Sequence, residues 1–163
     1  TMVAAVASVL SRKIRGFLPD RALLAGLIHD IGVVPMLDHA DKYPDLVADP
    51  NLLTKTIDEH KGQIGSMIMR KWNFPEDLAD VPANCDEWMR EHDEKGDYTD
   101  LIIVSQLQSL QSAGIKGNFP SLGDTPAFHR LDFKNPNDEL APSQILDEAR
   151  EDIASVQKML LGG

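Results

Sequence analysis

A histidine and an aspartate stand side by side at residues 29 and 30, inside the apolar, small-residue stretch GLIHDIG at residues 26–32. Leu23, Leu24, Leu27, Ile28 and Ile31 surround them. A carboxylate among such neighbours costs several kcal/mol unless a metal, a cation or hydrogen-bond donors meet it. Imidazole plus carboxylate is also the donor set of a hydrolytic metal centre. Two readings therefore compete at His29 and Asp30: a metal-ligating pair, and a buried polar pair bonded to neighbouring helix groups.

The other histidines are weighed the same way. His60 closes Asp58-Glu59-His60, just before an apolar helix pattern, and is either a third ligand or a surface histidine. His39 lies beside Asp38 and Asp41 and reads as solvated; His92 lies in the charged run REHDEKGD and reads as exposed; His129 receives no role. The acidic segment Asp86–Asp100 reads as a solvated face. Phosphate-binding and hydrolase signatures of the GxxxxGK[ST], GxGxxG, HExxH and GxSxG types are absent from the sequence. Cys85 is the single cysteine, so neither an internal disulfide nor a cysteine-rich zinc site is available, and a reduced setting fits.

These candidates need a scaffold, and the pattern of the chain supplies one. The 163 residues, 42% of them apolar, suffice for one compact domain with a real core. A formal charge of -10 argues against a nucleic-acid surface. No window is expected to hold the roughly 18 apolar residues needed to cross a membrane. The alanine-rich opening predicts a helix over about 2–18, with Pro19 and Asp20 opening a second that Gly32 breaks. A short helix follows from Pro35 to Ala40, and 42–50 reads as a loop with a helical turn. Polar helix is expected over Asn51–His60. Ile64, Met67, Ile68 and Trp72 then form an apolar face that puts Trp72 in the core. Helix is also expected around Glu76–Val81 and Asn84–Glu91. A long helix over Leu101–Ala113 ends at Gly114. Residues 114–142 read as irregular. Ser143 caps a last helix with the stripe Leu146, Ala149, Ile153, Val156 and Leu160. No segment alternates long enough to make a strand, and the fold class is all-α with about seven to nine helices.

GLIHDIG, followed by EHKGQIGSMIMRKWNFPEDL at 59–78, resembles the HDOD domain, a non-catalytic branch of the HD phosphohydrolase superfamily. The family's later motif, G-x-x-[LM]-x-x-x-W-x-[LF]-P, is met by Gly65, Met69 (or Ile68), Trp72, Phe74 and Pro75. The opening AAVASVL and the closing ILDEAREDI are similar too, so the resemblance runs over roughly 2–160. The departures are specific. The superfamily's active members add a first histidine, which would fall near or before Thr1, and a late aspartate, nearest to which stands Gln106, with Asp100 the alternative. The paired histidine that often follows the WNFP motif is replaced by Asn84 and Cys85.

The resemblance implies an HD-type helical domain over 1–163, the C-terminal portion of a longer protein, with a degenerate pocket at His29, Asp30, His60 and Gln106. It implies a cytoplasmic bacterial signal-transduction module that binds a protein partner or a fused signalling domain, with no cofactor expected and His29 and Asp30 the place for a divalent metal if one is held; charge and hydropathy argue against nucleic acid and membrane. Oligomeric state stays open. The competing function is a metal-dependent phosphohydrolase acting on a nucleotide or cyclic dinucleotide, in which His29 and Asp30 hold a divalent ion and His60 adds a ligand or phosphate contact. A small-ligand sensor using an emptied pocket is a third class.

Overall fold

A computed structural model of the chain describes residues 1–134 and 150–161. Among these residues the architecture is helical throughout, and extended pairing is confined to one bridge, between Ile14 and Phe133. The helices are α1 (Met2–Lys13), α2 (Pro19–Ile28), α3 (Val33–Ala40), α4 (Pro44–Ala48), α5 (Pro50–Lys71), α6 (Glu76–Ala79), α7 (Val81–Asn84), α8 (Tyr98–Ser112), α9 (Pro126–Arg130) and α10 (Arg150–Leu161). Several are single turns, and the frame is carried by α1, α2, α5 and α8.

The core lies where α1 packs on α2 and α8. Ala4, Ala5, Ala7 and Leu10 of α1 are fully buried, as are Ala22 and Ala25 of α2 and Leu101 to Val104 of α8. Alanines let α1 and α2 approach closely, and Gly26 sets the limit. A Cβ added there would lie 2.4 Å from the Ala4 Cα. In α10, Ile153 is buried and Val156 packs on the core; Leu146 and Ala149 lie outside the described residues.

Local chemistry explains most boundaries. Asp49 caps α5 by accepting hydrogen bonds from the Asn51 and Leu52 amides at 3.0 and 3.1 Å. Asp97 and Asp100 cap α8 reciprocally. Gly114, at φ +66°, closes it.

The structure revises several expectations. Helix α1 ends at Lys13, because Ile14 turns extended to bridge Phe133. The two helices expected over 51–72 are one, α5, since nothing between His60 and Ile64 stops the ladder. Residues 85–91 are turns instead of helix, and α9 forms inside the segment read as irregular. Trp72 is 58% exposed, not core. The buried face of α5 is Gly65, Ser66 and Met69, about one residue round from the stripe of large side chains. Glycine allows this, because a Cβ at Gly62 would meet the Pro82 carbonyl oxygen at 2.7 Å and one at Gly65 the Pro82 Cβ at 2.7 Å. The α5–α7 contact is thus selected by missing side chains. Pro19–Ala40 also corrects the hydropathy reading, for it reaches a mean hydropathy of 1.2 and is long enough by composition to cross a membrane. Of its most apolar 18 residues 28% are buried, Ala22, Ala25 and Gly26 among the buried ones, and length and composition alone are weak evidence for a span.

Candidate functional site

The motif GLIHDIG is a helix end pressed between two other helices. Gly26 faces α1, as above, and Gly32 faces α5. A Cβ at Gly32 would lie 1.9 Å from the Lys61 carbonyl oxygen and 2.8 Å from the Gly65 amide nitrogen. Between the two glycines, His29 follows the last turn of α2 with helical dihedrals, and Asp30 sits in the turn before α3. The close approach of the turn to α5 is what carries Asp30 to Lys61.

Lys61 is the centre of the site. Its Nζ donates to Asp30 Oδ1 at 2.7 Å and lies 2.8 Å from Asp86 Oδ2. Its side chain is 17% exposed, against 44% for each carboxylate. The other oxygen of Asp30, Oδ2, lies 3.1 Å from His29 Nε2. The remaining ring nitrogen, Nδ1, is 2.8 Å from the Gly26 carbonyl oxygen, to which it donates. A ring anchored to a backbone carbonyl presents its Nε2 in a fixed direction. Hydrogen bonding from His29 and then the Lys61 ammonium hold the Asp30 carboxyl well below its usual range, against the opposing effect of burial. Burial would lower the Lys61 ammonium, and hydrogen bonds to Asp30 and Asp86 more than reverse it, leaving it above its ordinary value.

Of the four residues singled out from sequence, His29 and Asp30 meet. His60 is exposed on α5, one residue before Lys61 and therefore turned about 100° away from the pair. Gln106 of α8 is one shell removed: its Nε2 donates to the Cys85 carbonyl at 2.9 Å, while Cys85 Sγ lies 3.8 Å from the His29 carbonyl. Burial pushes the Cys85 thiol up to about 12, so it is no nucleophile at neutral pH. Lys61 and Asp86 were missed. Both stand among other charged residues, and only the glycine spacing Gly62-x-x-Gly65 signals that this face of α5 turns inward.

A second polar cluster overturns the reading of His92 and Asp100 as members of a solvated face. Asp100 is fully buried. Its Oδ2 is 3.0 Å from His92 Nε2, and its Oδ1 is 3.2 Å from Arg90 Nη1 and 3.4 Å from Arg130 Nη1. Arg90 also grips Asp97 through two bonds of 2.7 and 3.1 Å. Ligand atoms of His92, Asp97 and Asp100 lie within 4.8 Å of one another. Two guanidiniums already balance these carboxylates, so the cluster ties the 86–97 loop to α8 and α9 as an ion-pair network. Away from both clusters, α3, α4 and α5 enclose an apolar groove of about 540 Å³.

A family model described as the HDOD domain matches residues 1–87. Among solved structures, the chain is similar to one from Shewanella amazonensis SB2B, named as a candidate metal-dependent phosphohydrolase. The TM-score is 0.68 at 21% identity, covering 95% of this chain and 57% of that one. This chain thus spans a little over half the length of that relative, and the likeness is one of fold. No curated protein matches the sequence.

Proposed function

Because the chain belongs to the HDOD family, we propose that it is a regulatory, partner-binding module of bacterial signal transduction, working in the cytoplasm, whose HD pair is not a hydrolytic metal centre. The observation that carries this reading is the occupancy of Asp30. One oxygen holds Lys61 and the other meets His29. The HD architecture implies a divalent ion, and two donors suit one: His29 Nε2 and Asp30 Oδ2 are 3.1 Å apart, a spacing two ligands of one ion can have. The rest of the pocket does not suit it. An ammonium stands between Asp30 and Asp86, and a second cation brought beside it would be repelled. Gln106, nearest to where a late carboxylate ligand belongs, is a neutral amide bonded to backbone.

The apolar groove between α3, α4 and α5 supports the partner-binding half of the reading. Its wall includes Met36, Tyr43, Leu46, Leu53 and Ile57, and Leu37, Val47 and Leu52 in the same helices, with Tyr43 just before α4, are exposed large apolar side chains. Exposed apolar side chains beside an apolar groove support a docking role for this face.

The competing reading, a phosphohydrolase acting on a nucleotide or cyclic dinucleotide, requires a water activated by a properly ligated ion. The test is hydrolysis of nucleotides, cyclic dinucleotides and phosphodiester model substrates with added Mn²⁺ or Mg²⁺, comparing wild type with His29→Ala at matched purity. The expected result is no turnover by either. Metal-dependent turnover that disappears in His29→Ala would replace the regulatory reading with the enzyme.

A further inference from the structure

We propose that the apolar groove between α3, α4 and α5 seats one amphipathic helix of a protein partner, a helix whose outer face is rich in lysine and arginine. The inference rests on the regulatory reading above and deepens it by giving the partner's chemistry.

Three observations carry it. First, the walls are apolar residues that the fold does not use. Met36 of α3, Leu46 of α4, and Leu53 and Ile57 of α5 line the groove, and none of them belongs to the main core of the described residues or packs against it. Second, the apolar surface continues past the mouth of the groove. Leu37, Val47 and Leu52, one on each of the three helices, are exposed. A small ligand held inside would leave those side chains in water, whereas a helix laid along the groove can cover them. Third, the surrounding charge is acidic. Residues 33–60 carry Asp38, Asp41, Asp45, Asp49, Asp58 and Glu59 against Lys42 and Lys55 alone. Lys55 already lies 3.8 Å from Glu59. Asp41 and Asp45 alternate along the chain with the lining residues Ala40, Tyr43 and Leu46, are exposed, and form no ion pair among the described residues.

The walls also decide the form of the occupant. Of the lining residues only His39, Tyr43 and Thr56 have polar side chains, and the Thr56 hydroxyl donates to the Leu52 carbonyl at 2.8 Å. An extended peptide needs partners for its backbone, which such walls do not offer; a helix arrives with its backbone bonds already made. From Leu53 to Ile64 the α5 wall runs about 16 Å, or about three turns of an opposing helix. The acids decide its charge. A second copy of this chain would bring the same carboxylates against these, and an anionic membrane surface would be repelled by them, whereas a cationic helix is drawn in.

The probes are three synthetic helices of about 18 residues, long enough to hold helix in water. The first carries leucines on an i, i+3, i+4, i+7 seam with lysines outside it. The second replaces the lysines with glutamates, and the third shuffles the first so that no seam remains. Fluorescence anisotropy reads their binding to the full chain at low and high salt. The first should bind, the third at least about tenfold more weakly, and the second not measurably. Leu53→Glu, which puts a carboxylate on a wall outside the main core, should weaken binding of the first at least about tenfold. Asp41→Lys/Asp45→Lys should weaken it by about threefold or more at low salt, with the difference fading at high salt. This surface variant keeps the test decisive if Leu53→Glu does not fold. Failure of the first helix to bind, equal binding of the first and third, or unchanged affinity in both variants overturns the proposal. A dimer of the free chain, or adsorption to phosphatidylglycerol vesicles, that Leu53→Glu abolishes would give the groove to a second copy or to a membrane and overturn it too. With a hydrolytically inactive wild type, such a failure removes the helical partner alone. Metal-dependent hydrolysis that disappears in His29→Ala would remove the regulatory reading beneath it.

Discussion

Replacing Gly32 with alanine should be among the most damaging single-methyl changes in this chain. The added Cβ would sit 1.9 Å from the Lys61 carbonyl oxygen, 2.9 Å from the Lys61 carbonyl carbon and 2.8 Å from the Gly65 nitrogen. All three atoms are backbone of α5, so no side chain can swing aside. Ordinary contact begins near 3.4 Å, so the turn and α5 must separate by about 1.5 Å. Overpacking of a rigid interior costs about 1–3 kcal/mol, and a backbone-on-backbone clash belongs at the upper end, about 3 kcal/mol. For a chain of this length that lowers the thermal midpoint by roughly 6–12 °C. Gly123→Ala is the control. Its Cβ meets nothing within 4 Å, and losing glycine's freedom in the unfolded chain should leave stability unchanged or raise it by up to about 1 kcal/mol. Urea denaturation followed by circular dichroism measures both. Coincident midpoints for Gly32→Ala and Gly123→Ala would show that the Asp30 turn is not clamped on α5, and the reasoning for the Lys61 pocket would fall with it.

Three further outcomes follow from named contacts. Asp30 has a folded-state carboxyl below its ordinary 3.8, so its contribution to stability is present above about pH 4 and lost as pH falls further. Wild type should therefore lose more stability than Asp30→Asn between about pH 5 and pH 2, and parallel losses would contradict the pairing with His29 and Lys61. Asp100→Ala removes the buried carboxylate shared by Arg90, Arg130 and His92, while Arg90 keeps Asp97 and Arg130 keeps Glu91, and should cost about 3 kcal/mol, whereas the exposed Asp93→Ala should be near neutral; equal urea midpoints would show that the network contributes nothing. Trp72, at 58% exposure, should tolerate alanine at under about 1 kcal/mol, and Trp88→Phe protein should fluoresce near the maximum of tryptophan in water, a strongly blue-shifted maximum refuting the placement.

The all-α class, the HD pair and the family motif were legible in the sequence because each is local. A helix announces itself by apolar period, caps and glycine stops within a dozen residues, and His29-Asp30 in an apolar run signals a polar group that needs a partner wherever it lies. The partner was not legible. Lys61 is 31 residues from Asp30 and looks like any lysine of a polar helix start. Asp86 looks like any acid in an acidic stretch, and Asp100 like a solvated cap. Hydropathy counting also favoured the face of α5 that carries Met67 and Trp72, because it scores large side chains. Burial went instead to Gly65, Ser66 and Met69, since two backbones can close only where side chains are missing. Which of several equivalent charges turns inward depends on the rotation of α5 about its axis. That rotation is fixed by glycine contacts between segments far apart in the chain, at Gly32 against Lys61 and at Gly62 and Gly65 against Pro82, and so it exists only once the tertiary structure has formed.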